Sequence, residues 1–160
     1  MSRSPRKLGL VLAWVFFILS LLLIIQFSLD SGSISFSKSW HFVQLFKFLQ
    51  RWIPVTTLHV IIRKVGHFTE YFIFGITTYH LISFYLASNK KRFIVSILTG
   101  LFVSCTDEMI QRFVSTERSG QILDILLDSL GVIIGFIFLY WLKNRKKKYK
   151  KHQENSFNER

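Results

Sequence analysis

The sequence predicts an all-α membrane protein: a bundle of four transmembrane helices with an amphipathic helix lying in the outer interface between the first and second. Three observations carry this. Half of the 160 residues are apolar, including 17 Phe and 4 Trp. The apolar residues come in four long blocks instead of alternating with polar ones at a helical or strand period. Short basic segments flank those blocks, as expected when a bilayer, which needs roughly 20 apolar residues per helical span, is the solvent.

The first span is expected at about 8–27, behind Arg3, Arg6 and Lys7. A signal peptide is the rival reading. The apolar run is long for a signal core and no Ala-x-Ala-like cleavage site follows it, which favours an uncleaved helix. The stretch from Ser28 to Ser39 is rich in serine and reads as turns. From Trp40 to Ile53 apolar residues alternate with His41, Gln44, Lys47 and Arg51 every three or four positions. Such a helix lies along a membrane surface or packs on the protein's own spans, and Pro54 ends it. Further spans are expected at about 65–87, 93–113 and 121–142, with a loop at 88–92. Residues 1–142 thus form the transmembrane domain. The basic, polar residues 143–160 form a tail expected to be mostly disordered in water.

Orientation follows from charge. With the N-terminus in the cytoplasm, fourteen of the 21 Lys and Arg fall on inner segments, including Lys90, Lys91, Arg92 and the run from Lys143 to Lys151. Four spans then return the C-terminus to the cytoplasm. The net charge of +12 therefore reads as topology, with anionic lipid heads as a second partner of the tail, and not as a nucleic-acid surface. Cys105 is the single cysteine, which excludes an intramolecular disulfide. Within its apolar block it reads as a small packing residue.

Chemistry is expected where ionisable groups enter the spans. Five of the nine acidic residues do so: Glu70, Asp107, Glu108, Asp124 and Asp128. A carboxylate at the bilayer centre costs about 3 kcal/mol on insertion scales, so such groups face a protein interior or a wet cavity. His67, Glu70 and Tyr71 share a face in the first turns of the second span. Asp107 lies fourteen residues past Phe93, about 21 Å along a helix, which places it with Glu108 and Gln111 in the outer half. Asp124 and Asp128 lie one turn apart near the start of the fourth span. Arg118, and also Arg112 or Arg63, can approach from the loop side. Each of these residues can separately reach water or favour a helix end; their common depth on three helices argues for one shared polar site. His80 lies deeper and reads as a hydrogen-bonded packing histidine, and His41 and His59 as interfacial. Gly131 and Gly135 form a small-xxx-small pair for close packing within the molecule.

The stretch from Arg63 to Gly75, with Lys64, His67, Glu70 and Tyr71, resembles the Lys-x-x-His-x-x-Glu-Tyr signature of VanZ-like membrane proteins, the teicoplanin resistance protein family. Asp107-Glu108-x-x-Gln111-x-Phe113 is similar to a second block of that family. Arg118 followed by Asp124, Asp128, Gly131 and Gly135 is similar to a third. Asp128 stands where the family has Asn, and Leu29-Asp30 interrupts its serine run. The resemblance spans 8–142 and implies a multi-pass bacterial plasma-membrane protein linked to resistance against a lipid-tailed glycopeptide antibiotic. Its partners would be the bilayer and a lipid-linked envelope precursor or a lipoglycopeptide.

Four functions fit these residues. The first is binding of a lipid-linked or lipid-tailed envelope molecule at the outer polar site. The second is an intramembrane enzyme using acid–base or metal-assisted chemistry on an envelope lipid. The third is a proton-coupled lipid transporter, which the lack of a polar track in the inner half disfavours. The fourth is a plain membrane anchor. No nucleophile elbow, phosphate loop or metal-ligand spacing is present, so no metal or cofactor is expected. An oligomer is compatible with the sequence.

Overall fold

A computed structural model of the chain describes residues 5–30, 32–114 and 122–158. The described residues form five α-helices: α1 Pro5–Ser28, α2 Gly32–Leu45, α3 Val55–Ile82, α4 Asn89–Val114 and α5 Ile122–Asn158, with a short 3₁₀ segment, Lys47–Arg51, between α2 and α3.

The bundle is inverted relative to a water-soluble protein. On α4 the buried side chains are Ser96, Ser104, Asp107, Glu108 and Gln111, while Ile94, Val95, Leu98, Phe102, Met109 and Phe113 face outward. On α5, Asp124 and Asp128 are buried beside Val132 and Phe136, and Leu123, Leu126, Leu130, Ile134 and Ile137 are exposed. α1 fully buries only a stripe of Ala13, Ser20, Ile24 and Ser28, packs Phe17 and Leu21 partly against the core, and turns most of its other large apolar side chains out. Exposed hydrocarbon on this scale is stable in lipid and not in water, and polar groups in lipid turn inward.

α3 is the central element. It packs along α5 most extensively and touches α1, α2 and α4 as well. Glycines allow the α3–α5 approach. A methyl group added at Gly131 would lie 2.8 Å from the Phe68 carbonyl oxygen, and one at Gly75 would lie 2.8 Å from Val132 Cα. The pair Gly131–Gly135 thus serves packing within the chain. Around it sits a small core of Ile24, Tyr71, Phe74 and Val132.

The two ends of the bundle differ. At one end Trp14 Nε1 donates to Tyr85 Oη (2.9 Å) and Lys143 Nζ donates to His80 Nδ1 (3.3 Å) and Ser83 Oγ (3.2 Å). Arg92 donates to carbonyls just past the end of α3, reaching Leu86 O at 2.7 Å. This end gathers the basic residues 90–92 and Lys143. The other end holds the carboxylates of α3, α4 and α5.

The four-span expectation is met in part, and several others are corrected. Three helices, Arg6–Ser28, Asn89–Phe113 and Ile122–Lys146, are long and apolar enough to cross a membrane. α3 is not among them, because His67, Glu70 and His80 lower the hydropathy of the span expected at 65–87. As the helix that packs against all four others it buries His67 and tolerates them. α3 also starts ten residues early, directly after Pro54, since nothing from Val55 to Lys64 breaks a helix, and it ends at Ile82. The serine-rich stretch, expected as turns, is helical from Gly32. There tertiary contacts outweigh weak local propensity: Val43 is fully buried, and Phe36 stacks on His59 with ring centroids 4.0 Å apart. His59, expected at an interface, is buried between α2 and α3, where Ser39 Oγ bonds its Nδ1 at 2.7 Å. The loop expected at 88–92 is mostly the first turn of α4, with Ser88 Oγ accepting from Lys91 N. α5 runs on into the basic tail through Asn158, carried by Lys and Arg, which favour helix. Cys105 is exposed on the outer face of α4 instead of packing in the interior.

Candidate functional site

The polar cluster is built from three helices. Asp107 of α4 is its hub. Its Oδ2 accepts from Tyr71 Oη of α3 (3.2 Å), and its Oδ1 accepts from Gln111 Nε2 one turn on (3.2 Å). Its backbone carbonyl accepts from Ser28 Oγ at the end of α1 (3.3 Å). Asp128 of α5 is fully buried and accepts from Ser104 Oγ (2.7 Å). Asp107, Glu108 and Asp128 each place one carboxylate oxygen within 4.8 Å of the others. These are hard oxygen donors, but three are only part of the roughly six that a divalent cation takes.

His67 joins this cluster to the surface. Its Nδ1 lies 3.9 Å from Asp107 Oδ2, and its ring lines a recess of about 110 Å³ together with Asp30, Lys38, Arg63, Gly66 and Glu70. Beside the recess runs a larger groove of about 630 Å³ between α1, the α2–3₁₀ segment and α3, walled by Leu23, Phe46, Leu49, Ile61, Val65 and Ile73 among others. The two share Phe27, Phe42, Ile62, Gly66 and Glu70. One continuous surface therefore passes from charged to apolar within a few residues of α3.

Of the residues expected at one site, the structure gathers Tyr71, Asp107, Glu108, Gln111 and Asp128, with His67 at their edge. Glu70 lines the recess beside His67 and also the groove. Asp124 is buried one turn before Asp128 and is ion-paired with Lys64. Arg118 lies outside the described residues. Sequence reasoning missed Ser28 and Ser104, which serve the hub and Asp128; lone serines within apolar runs were the available signal. It also missed the Lys38–Asp30 ion pair (2.6 Å) at the rim of the recess, because it read that stretch as turns. Gly66 gave no signal at all, since only the position of the cavities shows its role.

The sequence model of the VanZ/LLP1 family matches residues 11–143. The chain belongs to that family. No curated protein and no solved structure matches it. The resemblance read from the blocks around His67, Asp107 and Asp124 therefore holds. Membership and the three apolar helices together make this VanZ/LLP1 chain a membrane protein.

Proposed function

We propose that this VanZ/LLP1 protein spans the bacterial plasma membrane four times, with both termini cytoplasmic. In this reading it binds a lipid-linked or lipid-tailed envelope molecule at its outer end. The observation that carries it is the junction of a charged recess with an apolar groove across the shared residues Ile62, Gly66 and Glu70. An amphiphile needs both environments side by side: burial of its chain drives binding, and polar groups fix its orientation. α3 is the fourth, interior span, and α2 with the 3₁₀ segment lies in the outer interface and walls the groove. Exposed Phe48 and Trp52 suit that level, and the tail from Lys143 onward is a cytoplasmic extension. A contribution to resistance against teicoplanin-type antibiotics follows if the occupant is such a molecule or the precursor it targets.

Orientation is tested by a reporter fused after Arg160, which should be active only in the cytoplasm; activity outside would reverse the assignment. Binding is tested at Gly66. A Cβ added there meets nothing within 4 Å and Gly66 lines both cavities, so Gly66→Leu is expected to reach into the junction with the fold retained, which its unfolding temperature in detergent checks. Displacing two methylenes of a bound chain costs about 1.6 kcal/mol, about tenfold in affinity. Lipid copurifying with the protein, measured by native mass spectrometry, should fall accordingly, and unchanged lipid occupancy would remove the binding reading. A second reading, acid–base chemistry on the bound head, is favoured by the placement of Asp107 behind His67.

A further inference from the structure

The recess is not electrically uniform, and its charges select among amphiphiles. Lys38 is already matched by Asp30 and lies over the Phe27 ring, 4.7 Å from its centroid. Arg63 is half-buried, lines the recess, and makes no hydrogen bond or ion pair with any described residue. Glu70 lies seven residues further along α3, about 10.5 Å at the helical rise, where the recess meets the groove. A guanidinium presents a planar fork of donors that matches a phosphate in two parallel bonds. An anion is drawn to Arg63, so it sits at the Arg63 end. The remainder of the molecule must then pass Gly66 to reach the groove. Arg63 also stands next to the Lys64–Asp124 ion pair, at the charged end of the bundle and not in its apolar middle.

We propose that the occupant is a lipid with a phosphate in its head, the phosphate held by Arg63 and the chain lying in the groove between α1, the α2–3₁₀ segment and α3. This rests on the amphiphile reading above and adds the chemical class of the head.

The test uses the full chain in detergent micelles and three probes: phosphatidic acid, a diacylglycerol with the same chains, and inorganic phosphate. Phosphatidic acid should bind about tenfold more tightly than the diacylglycerol, the margin of a charge-assisted bidentate pair. Arg63→Gln, which breaks no hydrogen bond or ion pair to a described residue, should abolish that margin and leave diacylglycerol binding unchanged. Arg63→Lys should restore only part of it. Inorganic phosphate, lacking a chain, should displace phosphatidic acid poorly. Equal binding of the two lipids by the wild-type chain, or a preference that survives Arg63→Gln, overturns the phosphate assignment. Efficient displacement by inorganic phosphate overturns it in favour of a free-anion site. Gly66→Leu separates the two claims. It should weaken both lipids alike; if it weakens neither while Arg63→Gln still acts, the groove reading fails and the anion contact stands. If neither lipid binds, both fail.

Discussion

Gly135→Leu is expected to abolish the folded bundle, and even Gly135→Ala should cost more than about 3 kcal/mol, the upper range for overpacking a well-filled core. At most core sites a larger residue is accommodated because a neighbouring side chain swings aside. Here the neighbour is backbone: an added methyl runs into the Phe72 carbonyl oxygen and stands 3.1 Å from Ile76 N. Gly75 on α3 and Gly131 on α5 meet the opposite backbone in the same way, so relief at one position tightens the next. Against a total stability of about 5–15 kcal/mol the loss is a large share. Thermal unfolding in detergent, followed by aggregation or tryptophan fluorescence, reads it directly. Gly66→Ala is the control. It faces open space, and replacing helical glycine by alanine should stabilise by up to about 1 kcal/mol. If Gly135→Ala unfolds at the wild-type temperature, the helices do not approach as closely as described and the central place of α3 is wrong.

The same contrast shows what the sequence made legible. Apolar blocks are a strong signal, so three spans and the carboxylates within them are readable without coordinates. α3 is read less well for a physical reason: an interior helix of a membrane bundle answers to its neighbours and not to lipid, so its pattern is mixed. α2 is missed in part because serine has weak intrinsic preference, and its helix depends on Val43, Phe36 and Trp40 docking against α3, including the face around His59. Spacing within one helix foretells Asp107 with Gln111. It cannot foretell that Tyr71 turns to Asp107 while Glu70, its neighbour in sequence, turns to the recess. That choice is made by helix rotation about the glycine contacts. The groove itself arises where α2 folds back on α1 and α3, and no single segment encodes it.

Asp107→Ala should destabilise the chain by about 2–6 kcal/mol, because it strips the acceptor from two buried donors at about 1–3 kcal/mol each. Tyr71 is fully buried and Gln111 nearly so, and both aim at the Asp107 carboxylate. One effect opposes this loss. The substitution also removes a negative charge close to Glu108 and Asp128, and relief of crowded buried charge can stabilise. Asp107→Asn separates the two. It removes the same charge but keeps one acceptor oxygen and the side-chain volume, so it should lose about 1 kcal/mol, roughly one hydrogen bond. The expected order is therefore wild type, Asn, Ala, measured as unfolding temperature in detergent. The reverse order would mean that repulsion among the three carboxylates outweighs the network, and the cluster would then require a cation or shared protons to persist at all. Lipid binding adds the functional half of the argument. Asp107 stands behind His67 and outside the recess wall, so Asp107→Asn should leave phosphatidic acid affinity within about threefold of wild type, less than 1.4 kcal/mol. A larger loss would place the buried cluster, and not Arg63 and Gly66, at the centre of recognition.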